Sequence, residues 1–295
     1  TEYTVAGVGC GFGGCKELVE LNLPNTAKDI SDMCYEGCAF LPKLKKVTLP
    51  EEIAPFKPSF WGDSEAIEPT LGSTMFQDCS ALEEINIPTN CQNIGFGTFS
   101  GTAIKEIVIP SSVNELYFSC FQLCPYLKKV TFQAGPHNIA DSGFASCPNL
   151  KYVIIEGEDP NEFTHVGDDH GYTGIKAFAN SGANGDNHNI VLIVPEGTEE
   201  AYKKNWFFEE MCIPKITMPT KVFAKVGDPS YMIPFEFERP IAWSSIRDNF
   251  SNPDIVHNMT LKTDVPGKGT YGFEIYDPED NTVLASLYGE AIVID

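Results

Sequence analysis

The sequence predicts a mainly β chain in two parts: a stacked-coil solenoid closed by a short capping helix, then a small antiparallel β-sandwich. Three observations lead there. A phrase of about ten residues recurs in six copies between Cys15 and Ile155. An aromatic side chain returns at 76, 99, 121 and 144, in steps of 23, 22 and 23 residues. From about residue 219 the repeat is lost, and short apolar alternations separated by turn residues replace it.

The phrase is clearest as Cys79-Ser-Ala-Leu82-Glu-Glu-Ile85-Asn-Ile87-Pro88. It returns from Cys15 to Pro24, from Cys124 to Phe132 and from Cys147 to Ile155. Two copies lack the cysteine: Leu41 to Pro50 and Gly101 to Pro110. Each ends in a period-two alternation, as at Ile85 and Ile87 after Leu82, which reads as a short strand with one buried face. The proline after it cannot extend a ladder and turns the chain. An apolar pair precedes each phrase at a spacing of five, as in Leu71/Phe76, Ile94/Phe99, Leu116/Phe121 and Ile139/Phe144. One such unit cannot bury its own apolar face, so neighbours stack and share a core.

Cys15, Cys79, Cys124 and Cys147 then fall in one column of that core as small buried hydrophobes. Cross-coil disulfides are the alternative, since adjacent coils lie within disulfide reach. No C-x2-C pair occurs, so a zinc finger is a poor fit. Gly9-Cys-Gly11-Phe-Gly-Gly14 fits a dinucleotide fingerprint literally. That fold needs a helix next, and Leu18–Leu23 is already a repeat strand.

Two insertions interrupt the period, near 51–70 and 156–189. The first carries Phe56, Phe60 and Trp61, either a stacking platform for sugar or peptide or side chains tucked against the solenoid flank. The second gathers Asp159, Glu162, His165, Asp168, Asp169, His170, Asp186 and His188. It matches no calcium-loop or zinc-protease spacing, so a solvated acidic loop is expected and no metal or other cofactor. After Val194-Pro195, Thr198 is placed to cap a helix that closes the core. The predicted boundaries are 1–218 for the solenoid and 219–295 for the sandwich.

The 295 residues are 42% hydrophobic and 12% aromatic, enough apolar side chain for a sizeable core. Asp and Glu number 41 against 20 Lys and Arg, a net charge of −21. A nucleic-acid partner needs a basic footprint, so none is expected. No apolar run approaches the roughly 20 residues a membrane helix requires, so no membrane insertion is expected. The opening Thr1-Glu2-Tyr3 starts no basic-led apolar segment, so this sequence is expected to carry no export signal. No nucleophile-elbow, phosphate-loop or kinase pattern occurs, and a non-enzymatic role is expected.

A stacked sheet exposes the residues on either side of each central buried position. The first column reads Glu20, Lys46, Glu84, Glu106, Lys129, Tyr152; the second reads Asn22, Thr48, Asn86, Val108, Thr131, Ile154. These mixed columns suit a protein or glycan ligand, or form an ordinary solvated face.

The pattern I-x4-F-x2-C followed by C-x2-L-x2-V-x-I-P resembles the BspA-like leucine-rich repeats over roughly residues 8–217. Val194 to Trp206 is similar to that family's closing segment. The resemblance implies a leucine-rich-repeat solenoid in a secreted or cell-surface bacterial protein, with adhesion or protein binding as its role and no catalytic residues. Gly269 to Asp277 is similar to the last strands of bacterial immunoglobulin-like modules. Rival readings are a polysaccharide-acting enzyme on a β-helix and a structural spacer presenting the C-terminal part.

Overall fold

The computed structural model describes residues 12–33, 37–56, 68–134, 138–163, 177–205, 208, 210–238, 245–257 and 259–295. The chain divides into two compact units, Thr1–Met211 and Cys212–Asp295.

Among the described residues of the first unit eleven strands follow in chain order: β1 (Glu20–Asn22), β2 (Lys46–Thr48), β3 (Thr70–Leu71), β4 (Glu84–Ile85), β5 (Asn93–Ile94), β6 (Glu106–Ile109), β7 (Glu115–Leu116), β8 (Lys129–Phe132), β9 (Asn138–Ile139), β10 (Tyr152–Ile155) and β11 (Val191–Ile193). The two-residue arms β3, β5, β7 and β9 pair in parallel as one unbroken back ladder. The phrase strands form the front. Their register is the one the alternation requires: Leu21 lies beside Val47, and Ile107 beside Val130, which neighbours Val153 and then Leu192.

Between the two ladders the phenylalanines stack. Phe76, Phe99, Phe121, Phe144 and Phe178 lie with ring centroids 5.7, 5.0, 5.0 and 5.1 Å apart. Parallel coils bring equivalent side chains within this range, and the flat rings fill it without voids. In four coils the residues two before and two after the phenylalanine both take a left-handed conformation: Thr74 and Asp78, Gly97 and Gly101, Ser119 and Leu123, Ser142 and Ser146. These paired turns fold the backbone around each ring.

After four of the five phenylalanines the residue three positions on ties its coil to the one before, whereas Thr102 donates within its own coil, to the Phe99 carbonyl. Cys124 donates to the Phe99 carbonyl, Cys147 to that of Phe121, and Ser181 to that of Phe144. Cys79 donates likewise to the Cys38 carbonyl. Two expectations are corrected here. Thr102, not Gly101, fills this column in its coil, because Gly101 supplies the left-handed turn. Cys15 is exposed, since no described coil stacks on its outer side. Cys38, Cys79, Cys91, Cys120, Cys124 and Cys147 are buried thiols, not disulfides.

Burial pushes the Cys38 and Cys91 thiols up to about 12 and that of Cys79 to about 11. The thiolate is the nucleophile, so these groups stay inert while the coil is folded. Iodoacetamide at pH 8 should therefore label Cys15 within minutes and these three only after denaturation, as read by peptide mass spectrometry. Above pH 9 the unfolded thiols ionise first, so the stability these groups contribute should fall as pH rises from 9 toward 11. Equal labelling of Cys15 and Cys79 in the native protein would contradict this burial.

The helix expected at Thr198 is a single turn, Glu199–Tyr202. The Thr198 hydroxyl donates to the Pro195 carbonyl at 2.7 Å and so does not cap it. Closure falls instead to aromatic side chains, with Phe163 edge-on to both Tyr202 and Phe208.

The second unit contains β12 (Lys215–Thr217), β13 (Lys221–Lys225), β14 (Tyr231–Met232), β15 (Glu236–Glu238), β16 (Ser245–Phe250), β17 (Val256–His257), β18 (Thr260–Leu261), β19 (Gly267–Tyr276) and β20 (Val283–Ile294). Its main sheet runs β13-β20-β19-β16, beside smaller sheets β14-β18-β17 and β12-β15. The main sheet is mixed, not purely antiparallel as expected, because β13 runs parallel to β20. Across β19 and β20 Tyr271 faces Gly289 and Gly272 faces Tyr288. Each tyrosine ring lies where a Cβ on its partner would sit, which explains the glycines.

Candidate functional site

The front columns follow from the strand pleat. Glu20, Asn22, Lys46 and Thr48 flank the buried Leu21 and Val47 and are exposed, as are Glu84, Asn86 and Glu106. Lys129 and Thr131 are half-buried. Tyr152 is not exposed as the column predicted; at 2% it lies buried, with β11 stacked beyond it. Lys46 contacts Glu84 at 2.8 Å, and Lys129 contacts Glu106. The carboxylate of Glu84 holds the Lys46 ammonium above its ordinary range.

The front is not one sheet. Among the described residues, β1, β2 and β4 form one parallel sheet, β6, β8, β10 and β11 form another, and no pairing joins β4 to β6. Elsewhere each phrase strand begins with a hydrogen bond to the coil before. Lys45 donates to Val19, Glu83 to Lys45, Lys128 to Lys105 and Lys151 to Lys128. The matching bond from Lys105 to Glu83 is absent. At the same level the back ladder is intact, with β5 paired to β7.

Three features of the sequence account for the parting. The approach to β6 is one residue short: Thr102 leads Glu106 by four positions, whereas Cys79 and Cys124 lead Glu84 and Lys129 by five. Pairing in the register of the neighbours would set Glu84 directly against Glu106, and like charges so placed repel. Finally, the Asn86 amide occupies the N–H and C=O of Leu49, at 2.7 and 2.9 Å, so β4 ends after two residues.

The parting leaves a groove. Its first part, about 580 Å³, is lined by Lys46, Glu83, Glu84, Ile85, Lys105 and Glu106 among others. The second part, about 520 Å³, shares Ile85, Asn86 and Glu106 and continues to Val108, Pro110 and Gln133. Its rim is polar and its floor apolar. Ile85 is half-buried where its equivalents Val47 and Ile107 are fully covered, and Val108 is 49% exposed. Lys105 reaches across the mouth to Glu83 at 2.6 Å and holds that carboxyl below its usual range.

The groove gathers Lys46, Thr48, Glu84, Asn86 and Glu106 from the predicted set; Lys129 touches its wall through Glu106. Glu20 and Asn22 lie on β1, away from the parting, and Asn22 donates to Glu20 at 3.1 Å. Sequence reasoning missed Glu83, Ile85 and Lys105. The signals were present in the adjacent like charges at 84 and 106 and in the single step of 22.

Of the aromatic side chains in the first insertion, only Phe56 is among the described residues. It is buried, 6% exposed, and Phe60 and Trp61 lie outside the described residues. In the acidic insertion, Asp159 accepts from the Asn161 N–H and Asp186 from the His188 N–H, each closing a short turn. His165, Asp168, Asp169 and His170 lie outside the described residues. Among the described residues no cluster of metal-ligating side chains occurs, and no helix is long and apolar enough to cross a membrane.

No curated protein matches the chain. Among solved structures it is similar to a leucine-rich repeat protein from Bacteroides ovatus ATCC 8483, at 20% identity and a TM-score of 0.32. That likeness covers 70% of this chain and 48% of the other, so the chain spans about half the length of that relative. The model of the BspA type leucine rich repeat region matches in six copies, over residues 9–68 and 65–169. Six repeats so matched, across more than half of the sequence, establish that this chain belongs to the BspA-type leucine-rich-repeat family.

Proposed function

We propose that this chain is a non-enzymatic binding module of a secreted or cell-surface protein, one that holds a protein partner against the front face and so serves adhesion. The observation that carries the reading is the groove between β4 and β6, an apolar floor within a polar rim on an otherwise regular sheet. Central apolar surface with a polar surround is the usual anatomy of a protein-binding patch. Family membership supports protein–protein interaction and a surface role. Under this reading the second unit, with its long β19–β20 hairpin, is an immunoglobulin-like module that accompanies the repeats.

Solid-phase binding of the full chain to a panel of extracellular-matrix glycoproteins tests this. Lys46→Glu and Lys129→Glu together should weaken saturable binding about tenfold by removing the ion pairs that hold Glu84 and Glu106 in place along the groove wall. Both lysines are solvent-exposed or half-buried, and pairs of this kind add little to folding, so the far-ultraviolet circular dichroism should not change. Affinity that survives both reversals would remove the front face from the reading.

A further inference from the structure

We propose that the front groove takes an extended polypeptide segment of the pattern basic–apolar–any–apolar, with its basic side chain seated between Glu84 and Glu106; this rests on the protein-binding reading above.

The first argument is the order of charges. Along the front column, Glu20, Lys46 and Glu84 alternate in sign up to the parting, and Glu106 and Lys129 alternate beyond it. The alternation fails at the parting, where two carboxylates are neighbours. One cation placed there restores it. Glu84 and Glu106 each already meet one lysine on the side away from the gap, and a carboxylate has acceptor sites for more than one donor. An acidic segment would instead put a third negative group between them, on a chain whose net charge is −21.

The second argument is the main chain. In a parallel ladder successive residues direct their N–H and C=O groups to opposite sides. The carbonyls of Lys105 and Ile109 accept from Lys128 and Gln133, on the β8 side. Glu106 and Val108 therefore present their groups to the gap. On β4 the Glu84 N–H points back to Lys45, which turns Ile85 toward the gap. Two strand edges thus face each other with no ladder between them. Such edges are the template on which an extended peptide adds as a strand.

The third argument is the floor. An apolar side chain following the basic one would point inward between Ile85 and Ile107 and cover the half-exposed Ile85. This chain already sets the same pattern beside the same carboxylates: Lys46-Val47-Thr48-Leu49 lies against Glu84, and Lys129-Val130-Thr131-Phe132 against Glu106. The occupant is inferred to be a third strand of that kind, supplied by the partner.

The probe is the capped peptide acetyl-Lys-Lys-Val-Thr-Leu-Pro-amide, the sequence of residues 45–50, added to the full chain carrying labelled isoleucine methyls. Ile85→Val and Ile107→Val assign the two reporter signals. Saturable shifts at Ile85 and Ile107 are expected. They should weaken about tenfold when the two lysines of the peptide become glutamates, as for loss of a charge-assisted contact. The same loss is expected when the valine and leucine nitrogens of the peptide are methylated, and when the chain carries Glu84→Gln with Glu106→Gln. Equal binding of the glutamate peptide, or shifts only at distant isoleucines, would overturn the proposal. Absence of peptide shifts while matrix proteins still bind through Lys46 and Lys129 would overturn this occupant and leave the protein-binding reading standing. Absence of both would end the two together.

Discussion

Replacing Phe121 by alanine should lower the unfolding midpoint of the repeat unit by roughly 12 °C, a loss of about 4 kcal/mol. Phe121 is fully buried, and its ring stacks on Phe99 and on Phe144 at 5.0 Å on each side. Truncation removes the transfer energy of the ring, leaves a cavity in the middle of the stack, and ends two aromatic contacts at once. The coils cannot close on the hole, because the ladders at front and back fix their spacing. Calorimetry on Phe121→Ala and Phe121→Leu distinguishes the terms: leucine refills much of the volume and should recover more than half of the loss. A midpoint within about 3 °C of the parent for the alanine variant would mean that the rings do not act as a continuous column.

A loss of about 2 kcal/mol is expected for Ser181→Ala, with a midpoint roughly 6 °C lower. The Ser181 hydroxyl donates to the Phe144 carbonyl at 2.7 Å and accepts the Cys147 N–H at 3.1 Å, in a site with no exposure. Alanine fits but strands both main-chain groups away from water, and that penalty dominates. Ser181→Cys should cost less than half as much. Cysteines at the corresponding positions already make the same donation, Cys147 to Phe121 and Cys124 to Phe99. Urea unfolding of the two variants decides it. Equal losses would show that the site needs only its shape.

The same residue marks where the sequence could be read and where it could not. The columns at Phe76, Phe99, Phe121 and Phe144 were legible because side chains in stacked coils recur at a nearly constant interval. Phe178 and Ser181 continue both columns, yet they lie 34 residues beyond Phe144 and Cys147, past the acidic insertion, and serine replaces cysteine there. Periodicity carries no information across an insertion of unknown path. Tyr152 was misplaced for a related reason: its exposure depends on β11, which the interrupted period hid. The exposed columns were readable from the pleat, but their division was not. It follows from a missing residue before Glu106, a side-chain amide on Leu49 and a repulsion between strands. The first lies within one repeat and shows only as a single step of 22, while the other two belong to the meeting of two repeats.

Through the level at which the front parts, the back ladder and the phenylalanine column both continue, with β5 paired to β7 and Phe99 stacked on Phe121. A stack joined along one side and open along the other yields most easily by bending about the joined side. The repeat unit therefore has one compliant direction, a change of curvature at the third coil, while twist and slip are resisted by the ring column and the back hydrogen bonds. Whatever lodges between the two front halves acts as a wedge, setting the angle between the coils before the parting and those after it.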